Sequence, residues 1–172
     1  YRAVNIGLVN EFKILCNHNN INIHDVITAA STKPFGYNPF DPGPGVGGHC
    51  IPIDPNYLSH RVQTRLGYSF RFVELAQEIN AGMPAYVVRR IQDLLNDQSL
   101  PLRNSRILLL GVTYKADIGD VRESPAEDIA KALIELGGVE MSFTTGASLA
   151  MIGRKGAIVG SSILRSDMKG EG

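Results

Sequence analysis

The sequence predicts an α/β protein in which a helical part comes first and the start of a parallel sheet follows. Apolar residues recur at three- and four-residue steps through 2–16, and 70–95 is strongly helical in composition. Residues 106–143 then read as strand, loop, helix and strand, the order of a parallel unit. We expect a helical domain over 1–95, a linker over 96–105 and a sheet domain over 106–143, with an atypical tail over 144–172.

Bulk composition excludes several classes of protein. The 172 residues are 44% apolar, which is enough for a packed core. Seventeen basic and seventeen acidic residues cancel without long blocks of one sign, so neither nucleic acid nor a membrane surface is an expected partner. No apolar run approaches the roughly 20 residues of a membrane span. Two cysteines without framework spacing fit a reducing cytoplasm, and the first residue, Tyr1, indicates an internal start.

Two helices are expected near the start of the chain. The first should bury a face formed by Val4, Leu8, Phe12 and Leu15. A second, over 24–30, has Asn22 as its predicted cap. Cys16 falls within the first helix beside an apolar residue, so we expect it to pack in the core.

The middle of the chain is punctuated by proline and glycine. Residues 34–55 contain too many of both for a regular helix or a central strand, so they should form a shaped loop. Asp54 then reads as a helix N-cap with Pro55 at the first helical position, and Gly67 ends that helix. Pro84 lies inside the helical stretch that follows, which predicts two helical halves.

The second part of the chain carries the signals of a βαβ unit. Residues 106–111 form a short apolar run that suits a buried strand. Ser124, Pro125 and Glu127 form a predicted capping box, and the helix that they open should end at Gly137 or Gly138. Residues 139–143 alternate as a following strand would.

The glycine loop, residues 42–49, is the most unusual segment. Gly43, Gly45 and Gly48 match the spacing GxGxxG, but the dinucleotide fingerprint requires a strand before it and a helix opening within it. Proline-rich flanks make that context wrong. Two alternatives stay open from the residues alone, a tight turn of purely structural use and a loop wrapped around a substrate.

Cys50 follows this loop directly. A nearby helix N-terminus favours the thiolate form, which a nucleophile needs. The alternative is a buried small hydrophobe, which is the commoner fate of a lone cysteine. A metal at His49 and Cys50 would need two further ligands, and no other histidine has recognised ligand spacing, so we expect no metal.

Charged residues follow the predicted strand at 106–111. Lys115 and Arg122 lie where α/β folds bind phosphate-bearing ligands, so they could hold a pyrophosphate. An ordinary solvated loop is the alternative, with these charges paired to Asp117, Asp120 and Glu123.

Three motifs in order carry a resemblance to a known family. They are PGPGVGGHCIPIDP at 42–55, FVELAQEIN at 72–80 and LLLGVTYKADIGDVRESPA at 108–126. Together they resemble the UDP-glucose/GDP-mannose dehydrogenase family. The loop is most similar to the branch that acts on UDP-N-acetylglucosamine, with UDP-N-acetylmannosamine and UDP-glucose as alternative substrates.

The resemblance implies an NAD-dependent, four-electron oxidation of a sugar C6 alcohol to a carboxylate. It implies that Cys50 is the nucleophile and that Asp54 assists water or proton transfer. The residues matching substrate contacts are Arg2, Asp41, Pro42, Gly43, Pro44, Gly45, Val46, Gly47, Tyr114 and Lys115. Those matching cofactor contacts are Cys50, Ile51, Pro52, Ile53 and Arg122.

The resemblance also implies how the chain is organised. The first part should be a central helical dimerisation segment, and the second a partial Rossmann-like domain that binds the UDP-sugar. We expect the family's NAD-binding domain, catalytic lysine and catalytic asparagine to precede Tyr1. The likeness ends at Gly138, and a truncated or frameshifted end would explain 144–172. The chain alone is therefore expected to be inactive, and a dimerisation module or a nucleotide-sugar binder without turnover are the competing functions.

Overall fold

The computed structural model describes residues 1–113, 121–144, 150–153 and 158–159. Helices come first and the sheet follows, as predicted. Within these ranges, no helix is both long and apolar enough to cross a membrane. The elements in chain order are α1 (Arg2–His18), α2 (Ile23–Ala30), α3 (Cys50–Leu66), α4 (Arg71–Asp97), β1 (Arg106–Leu110), α5 (Pro125–Glu135), β2 (Val139–Thr144), β3 (Ala150–Gly153) and β4 (Ile158–Val159).

Helix α1 forms where predicted, but its predicted buried face is wrong. Leu8, Phe12 and Leu15 are 49%, 47% and 56% exposed. The face that packs against α4 instead carries small and polar residues. A Cβ on Gly7 would lie 3.2 Å from the Cα of Ala76, so the two helix backbones approach closely there. The small side chains on this face decide which side of α1 packs, because bulky ones would hold the backbones apart.

A small apolar core joins α1 to α2. Val9, Cys16, Ile23 and Ile27 are buried in it, which confirms the prediction that Cys16 is a core residue. The predicted cap of α2 is also confirmed, since the Asn22 side chain accepts a hydrogen bond from the His24 N–H at 3.0 Å.

Helix α3 starts earlier than predicted. It begins at Cys50, so Asp54 lies inside the helix and the N-cap assignment for Asp54 is wrong. Pro52 falls in the first turn, where an N–H would have no partner within the helix, and Pro55 removes one later bond. Gly67 ends α3 as predicted, in the left-handed conformation at φ +73°.

Helix α4 is one continuous helix, so the prediction of two halves at Pro84 is wrong. Its N-terminal half packs against α1, and its C-terminal half packs against β1 and α5. A proline inside a helix costs about 3 kcal/mol or more. Burial on both sides of Pro84 offsets that cost. The main core comprises Val87, Val88, Ile91, Leu95, Leu102, Ile107, Leu109, Ala126, Ile129, Ala130 and Leu133.

The sheet has the strand order β2-β1-β3-β4. The parallel β1–β2 pair confirms the predicted strand, helix, strand unit. The sheet is mixed, however, because β3 runs antiparallel to β1, and β4 antiparallel to β3. These two short strands lie in the atypical tail, whose fold the sequence left undecided. Antiparallel neighbours need only a short connection, whereas a parallel pair needs a long crossover.

The start of α5 is capped as predicted, but only half of the capping box forms. The Ser124 hydroxyl accepts from the Ala126 N–H at 3.4 Å, and Pro125 occupies the first helical position. Glu127 turns away and pairs with Lys131, with Oε1 and Nζ 2.7 Å apart. Gly137, at φ +88°, follows the end of the helix. The division into domains at 96–105 stays a prediction, since the main core includes residues on both sides of it.

Candidate active site

A cleft of about 390 Å³ lies where the glycine loop, α4 and the N-terminus of α5 meet. Both parts of the chain contribute to its walls. The lining residues are Gly45, Val46, Pro52, Gln77, Asn80, Ala81, Pro84, Glu123, Ser124, Pro125, Glu127, Asp128 and Lys131. The cleft therefore depends on the contact between the helical part and the sheet part.

Gly45 brings the glycine loop close to α5. Its φ is +136°, and a Cβ there would lie 3.0 Å from the Pro125 Cβ and 3.4 Å from the Asn80 carbonyl oxygen. Pro84 has no N–H, so the usual helical bond to that carbonyl cannot form. Only glycine fits this conformation and this gap. Among the described residues, the sheet begins only at β1, so the glycine loop is not the turn of a dinucleotide fingerprint.

Cys50 is the first residue of α3, and it is exposed. Its alternative role as a buried small hydrophobe is therefore wrong. Asp54, also exposed, follows one helical turn later. Residues four apart lie on the same helix face, about 5–6 Å apart at Cβ. The start of α3 thus places a thiol and a carboxylate side by side.

His49 and Arg122 connect the cysteine to the second part of the chain. The Arg122 Nη1 lies 3.4 Å from the His49 Nε2, and both side chains are exposed. A guanidinium can only donate, so the imidazole accepts through Nε2 in this contact. Arg122, the cation for which both pyrophosphate binding and an ordinary solvated loop stayed open, therefore lies beside the residue that precedes Cys50.

The other predicted site residues are placed as follows. Arg2 is exposed at the start of α1, and the Asp41 carboxylate oxygen lies 3.8 Å from the His24 Nδ1. Ile51, Pro52 and Ile53 form the first turn of α3 and are half-buried. In the glycine loop, Pro42 is buried and Gly43, Pro44, Gly45, Val46 and Gly47 are half-buried. Tyr114 and Lys115 lie outside the described residues.

Three amide side chains that we did not predict hold this region together. Asn10 accepts from the Gly43 N–H at 2.8 Å, and its own amide donates to Asn80 Oδ1 at 2.9 Å. Gln77 donates to the Pro52 carbonyl oxygen at 3.2 Å. Gln77 and Asn80 fall within the motif FVELAQEIN, and a polar residue on a packed helix face is the signal that could have identified them.

No described residues form a group of three or more His, Cys, Asp or Glu side chains suited to a metal ion. Two residues before Pro52, which lines the cleft, the start of α3 offers an exposed thiol, and an exposed carboxylate follows one helical turn later. A thiol with a base within reach is the arrangement that nucleophilic catalysis uses. Cys50 and Asp54 are therefore the candidate pair for such chemistry.

Comparison with known proteins identifies the family. Residues 1–82 match the central domain of the UDP-glucose/GDP-mannose dehydrogenase family, and residues 108–144 match its UDP binding domain. The chain belongs to this family, which confirms the resemblance drawn from the three motifs.

Several individual proteins are similar to the chain. A UDP-N-acetyl-D-mannosamine dehydrogenase of Methanococcus maripaludis is 38% identical over 143 residues, 83% of this chain and 32% of that protein. A UDP-N-acetyl-D-glucosamine 6-dehydrogenase of Pseudomonas aeruginosa is 38% identical over 134 residues, 78% of this chain and 31% of that protein. The structure of a UDP-D-ManNAc dehydrogenase from Pyrococcus horikoshii superposes with a TM-score of 0.73 at 32% identity, over 83% of this chain and 32% of that one. The chain spans about a third of the length of these relatives.

Proposed function

We propose that this chain carries the nucleophile of an NAD-dependent nucleotide-sugar 6-dehydrogenase, which oxidises the C6 alcohol of a UDP-sugar to the uronic acid. The observation that carries the proposal is the exposed Cys50 at the start of α3, one helical turn from Asp54. Pro52, two residues later, lines the cleft, as do Gly45 and Val46 of the glycine loop. The match of residues 108–144 to a UDP binding domain supports a UDP-sugar as ligand.

Cys50 divides the oxidation into two steps. Once the alcohol has lost a hydride and a proton, the thiolate adds to the aldehyde carbon and forms a thiohemiacetal. Loss of a second hydride and a proton leaves a thioester on the sulfur. Water then cleaves the carbon–sulfur bond, which releases the carboxylate and regenerates the thiol. Each of the two hydrides would go to a separate NAD, which supplies the acceptor chemistry when bound.

Asp54 is suited to the hydrolytic step. Its exposed carboxylate shares a helix face with Cys50, so it can accept a proton from water that attacks the thioester. Beside His49, the Arg122 cation can neutralise a phosphate of substrate or cofactor. Arg2, Asp41, residues 42–47, Tyr114 and Lys115 are proposed as further substrate contacts.

The residues proposed for NAD fit one part of that cofactor. The half-buried first turn of α3, residues 51–53, offers apolar surface, and Arg122 offers a positive charge. A dinucleotide fingerprint framed by a strand and a helix is not found among the described residues. Activity therefore depends on an NAD-binding domain of the kind that this family uses, and the chain alone should be inactive.

UDP-N-acetylglucosamine is the proposed substrate, with UDP-N-acetylmannosamine and UDP-glucose as alternatives. This preference is supported by the similarity of the loop at 42–55 to the branch that acts on UDP-N-acetylglucosamine. Two of the relatives named above differ in the sugar in their names, one N-acetylmannosamine and the other N-acetylglucosamine. Each is 38% identical to this chain. Pocket contacts, rather than overall similarity, decide between such sugars. A cytoplasmic location fits a substrate of this kind.

A dimerisation module is the second candidate function. Leu8, Phe12 and Leu15 on α1 and Phe72 and Leu75 on α4 are exposed. Such apolar surface favours association with a second copy through the central helices. Sedimentation would show a dimer, and inhibition of an intact family member on mixing would favour this function.

The test of the dehydrogenase proposal is an NADH absorbance assay with the three UDP-sugars. It should use this chain and a fusion of it to the NAD-binding domain of the M. maripaludis relative. We expect turnover in the fusion alone, loss of turnover in Cys50→Ala, and a Cys50 thioester detectable by mass spectrometry in Asp54→Asn. Binding of a UDP-sugar without NADH formation in a folded fusion would instead indicate a binder without turnover.

A further inference from the structure

We propose that Asn10 and Asn80 are positioning residues that hold the glycine loop in the conformation that lines the cleft. Both side chains are almost completely removed from solvent, at 0% and 2% exposure. Neither residue belongs to the predicted catalytic, substrate or cofactor contacts. The proposal rests on the proposed function only for what the loop binds, since the loop's conformation can be measured without a ligand.

The two amides form a chain of hydrogen bonds with a fixed direction. The Gly43 N–H donates to Asn10 Oδ1 at 2.8 Å, and Asn10 Nδ2 donates to Asn80 Oδ1 at 2.9 Å. Asn80 Nδ2 then donates to the Ala3 carbonyl oxygen at 3.2 Å. This series of hydrogen bonds begins at the Gly43 N–H, which can only donate, and ends at the Ala3 carbonyl oxygen, which can only accept. The orientation of both amides is therefore determined, and neither aspartate nor leucine can replace them without losing a bond.

The sequence of the loop explains why this anchor matters. Gly43 lies between Pro42 and Pro44, which have no N–H, so it supplies the one backbone donor of that tripeptide. On the far side of Cys50, Gln77 donates to the Pro52 carbonyl oxygen at 3.2 Å. Gln77 and Asn80 are three residues apart and share a face of α4. This face of α4 thus bonds directly to the segment after Cys50, and through Asn10 of α1 to the loop before it.

The test compares Asn80→Leu with the double variant Asn10→Leu/Asn80→Leu. In Asn80→Leu, Gly43 keeps its acceptor, but the buried amide of Asn10 loses its own, so the protein should be destabilised. Replacing both partners with apolar groups should restore much of that stability. Gly43 then has no acceptor, and its amide should exchange with deuterium at least about fivefold faster than in the wild type. Urea unfolding and NMR-detected exchange measure the two quantities.

Opposite rankings carry the proposal: the double variant should be the more stable of the two, yet have the less protected Gly43. The same ranking in both measurements, or unchanged Gly43 exchange in the double variant, would overturn it. Val88→Ala, in the main core, is the matched control, because it lowers stability without removing an acceptor from the loop. The rate of Cys50 alkylation by iodoacetamide should change in the double variant and not in this control.

Titration with UDP-N-acetylglucosamine separates this proposal from the proposed function. Absence of binding by the wild-type chain and by its fusion counts against the dehydrogenase assignment. The exchange of Gly43 still decides whether Asn10 and Asn80 position the loop.

Discussion

The two halves of α4 (Arg71–Asp97) differ in what they bury. In the N-terminal half, Asn80 is buried beside Asn10, and Gln77 reaches the start of α3. In the C-terminal half, Val87 and Ile91 belong to the main apolar core. Apolar burial stabilises without direction, whereas hydrogen bonds specify geometry. The difference indicates that the C-terminal half of α4 mainly stabilises the fold, whereas the N-terminal half mainly positions the site.

The largest change in stability should follow Leu133→Ala. Leu133 is fully buried in the core beside the C-terminal half of α4. Truncation should lower the free energy of unfolding by about 2–5 kcal/mol, since both apolar burial and packing are lost. Urea unfolding measures this free energy. Leu75→Ala, at an exposed position, is the control, and its free energy of unfolding should stay within ~0.5 kcal/mol of the wild type. Similar losses in the two variants would contradict the assignment of stability to this core.

Gly45→Ala should act on the site end. The substituent would meet the Pro125 Cβ at 3.0 Å, in addition to the strain of φ +136°. We expect the free energy of unfolding to fall by about 1–3 kcal/mol and the glycine loop to be displaced. Gly36→Ala is the matched control, because Gly36 also has positive φ, at +73°, but nothing within 4 Å of its Cβ position. A loss in Gly45→Ala no larger than in the control would mean that the loop does not depend on this close approach.

The smallest effects should come from two helical glycines, and they should have opposite signs. Gly82→Ala meets nothing within 4 Å, so higher helix propensity should stabilise α4 by about 0.5–1 kcal/mol. Gly7→Ala would place its Cβ 3.2 Å from the Ala76 Cα and should destabilise by about 1 kcal/mol or slightly more. Thermal unfolding of the pair measures the difference. Stabilisation by both substitutions would show that the α1–α4 contact is looser than the structure indicates.

Most elements were predictable because their signals are local. The Asn22 and Ser124 caps and the left-handed Gly67 follow from residues a few positions apart. The parallel β1–β2 pair follows from the order strand, helix, strand, each element of which has a local signal. The start of α3 was misplaced because Asp54–Pro55 has the composition of a helix N-terminus. The helix in fact begins at Cys50, so Pro55 lies more than one turn inside it rather than at its first position. Local preference disfavours a proline there but does not exclude it.

The reactive residues proposed for the candidate site could be named from the sequence, but the hydrogen bonds that hold the glycine loop could not. Cys50 and the glycine loop follow from their motif, whereas the exposed state of Cys50 required the structure. Asn10 and Asn80 are 70 positions apart, and their pairing has no local signal. Only after α1 packs against α4 do the two amides meet and reach Gly43.

The sequence by itself determined the family, the order of the helices and of the first two strands, and the residues with reactive side chains. The tertiary structure alone decided that α1 buries its small and polar face, that α4 continues through Pro84, and that Asp54 lies beside Cys50 on one helix. The physical reason is the range of each effect. Caps, turns and periodicity act over three or four residues, while burial and backbone approach depend on a partner from a distant part of the chain.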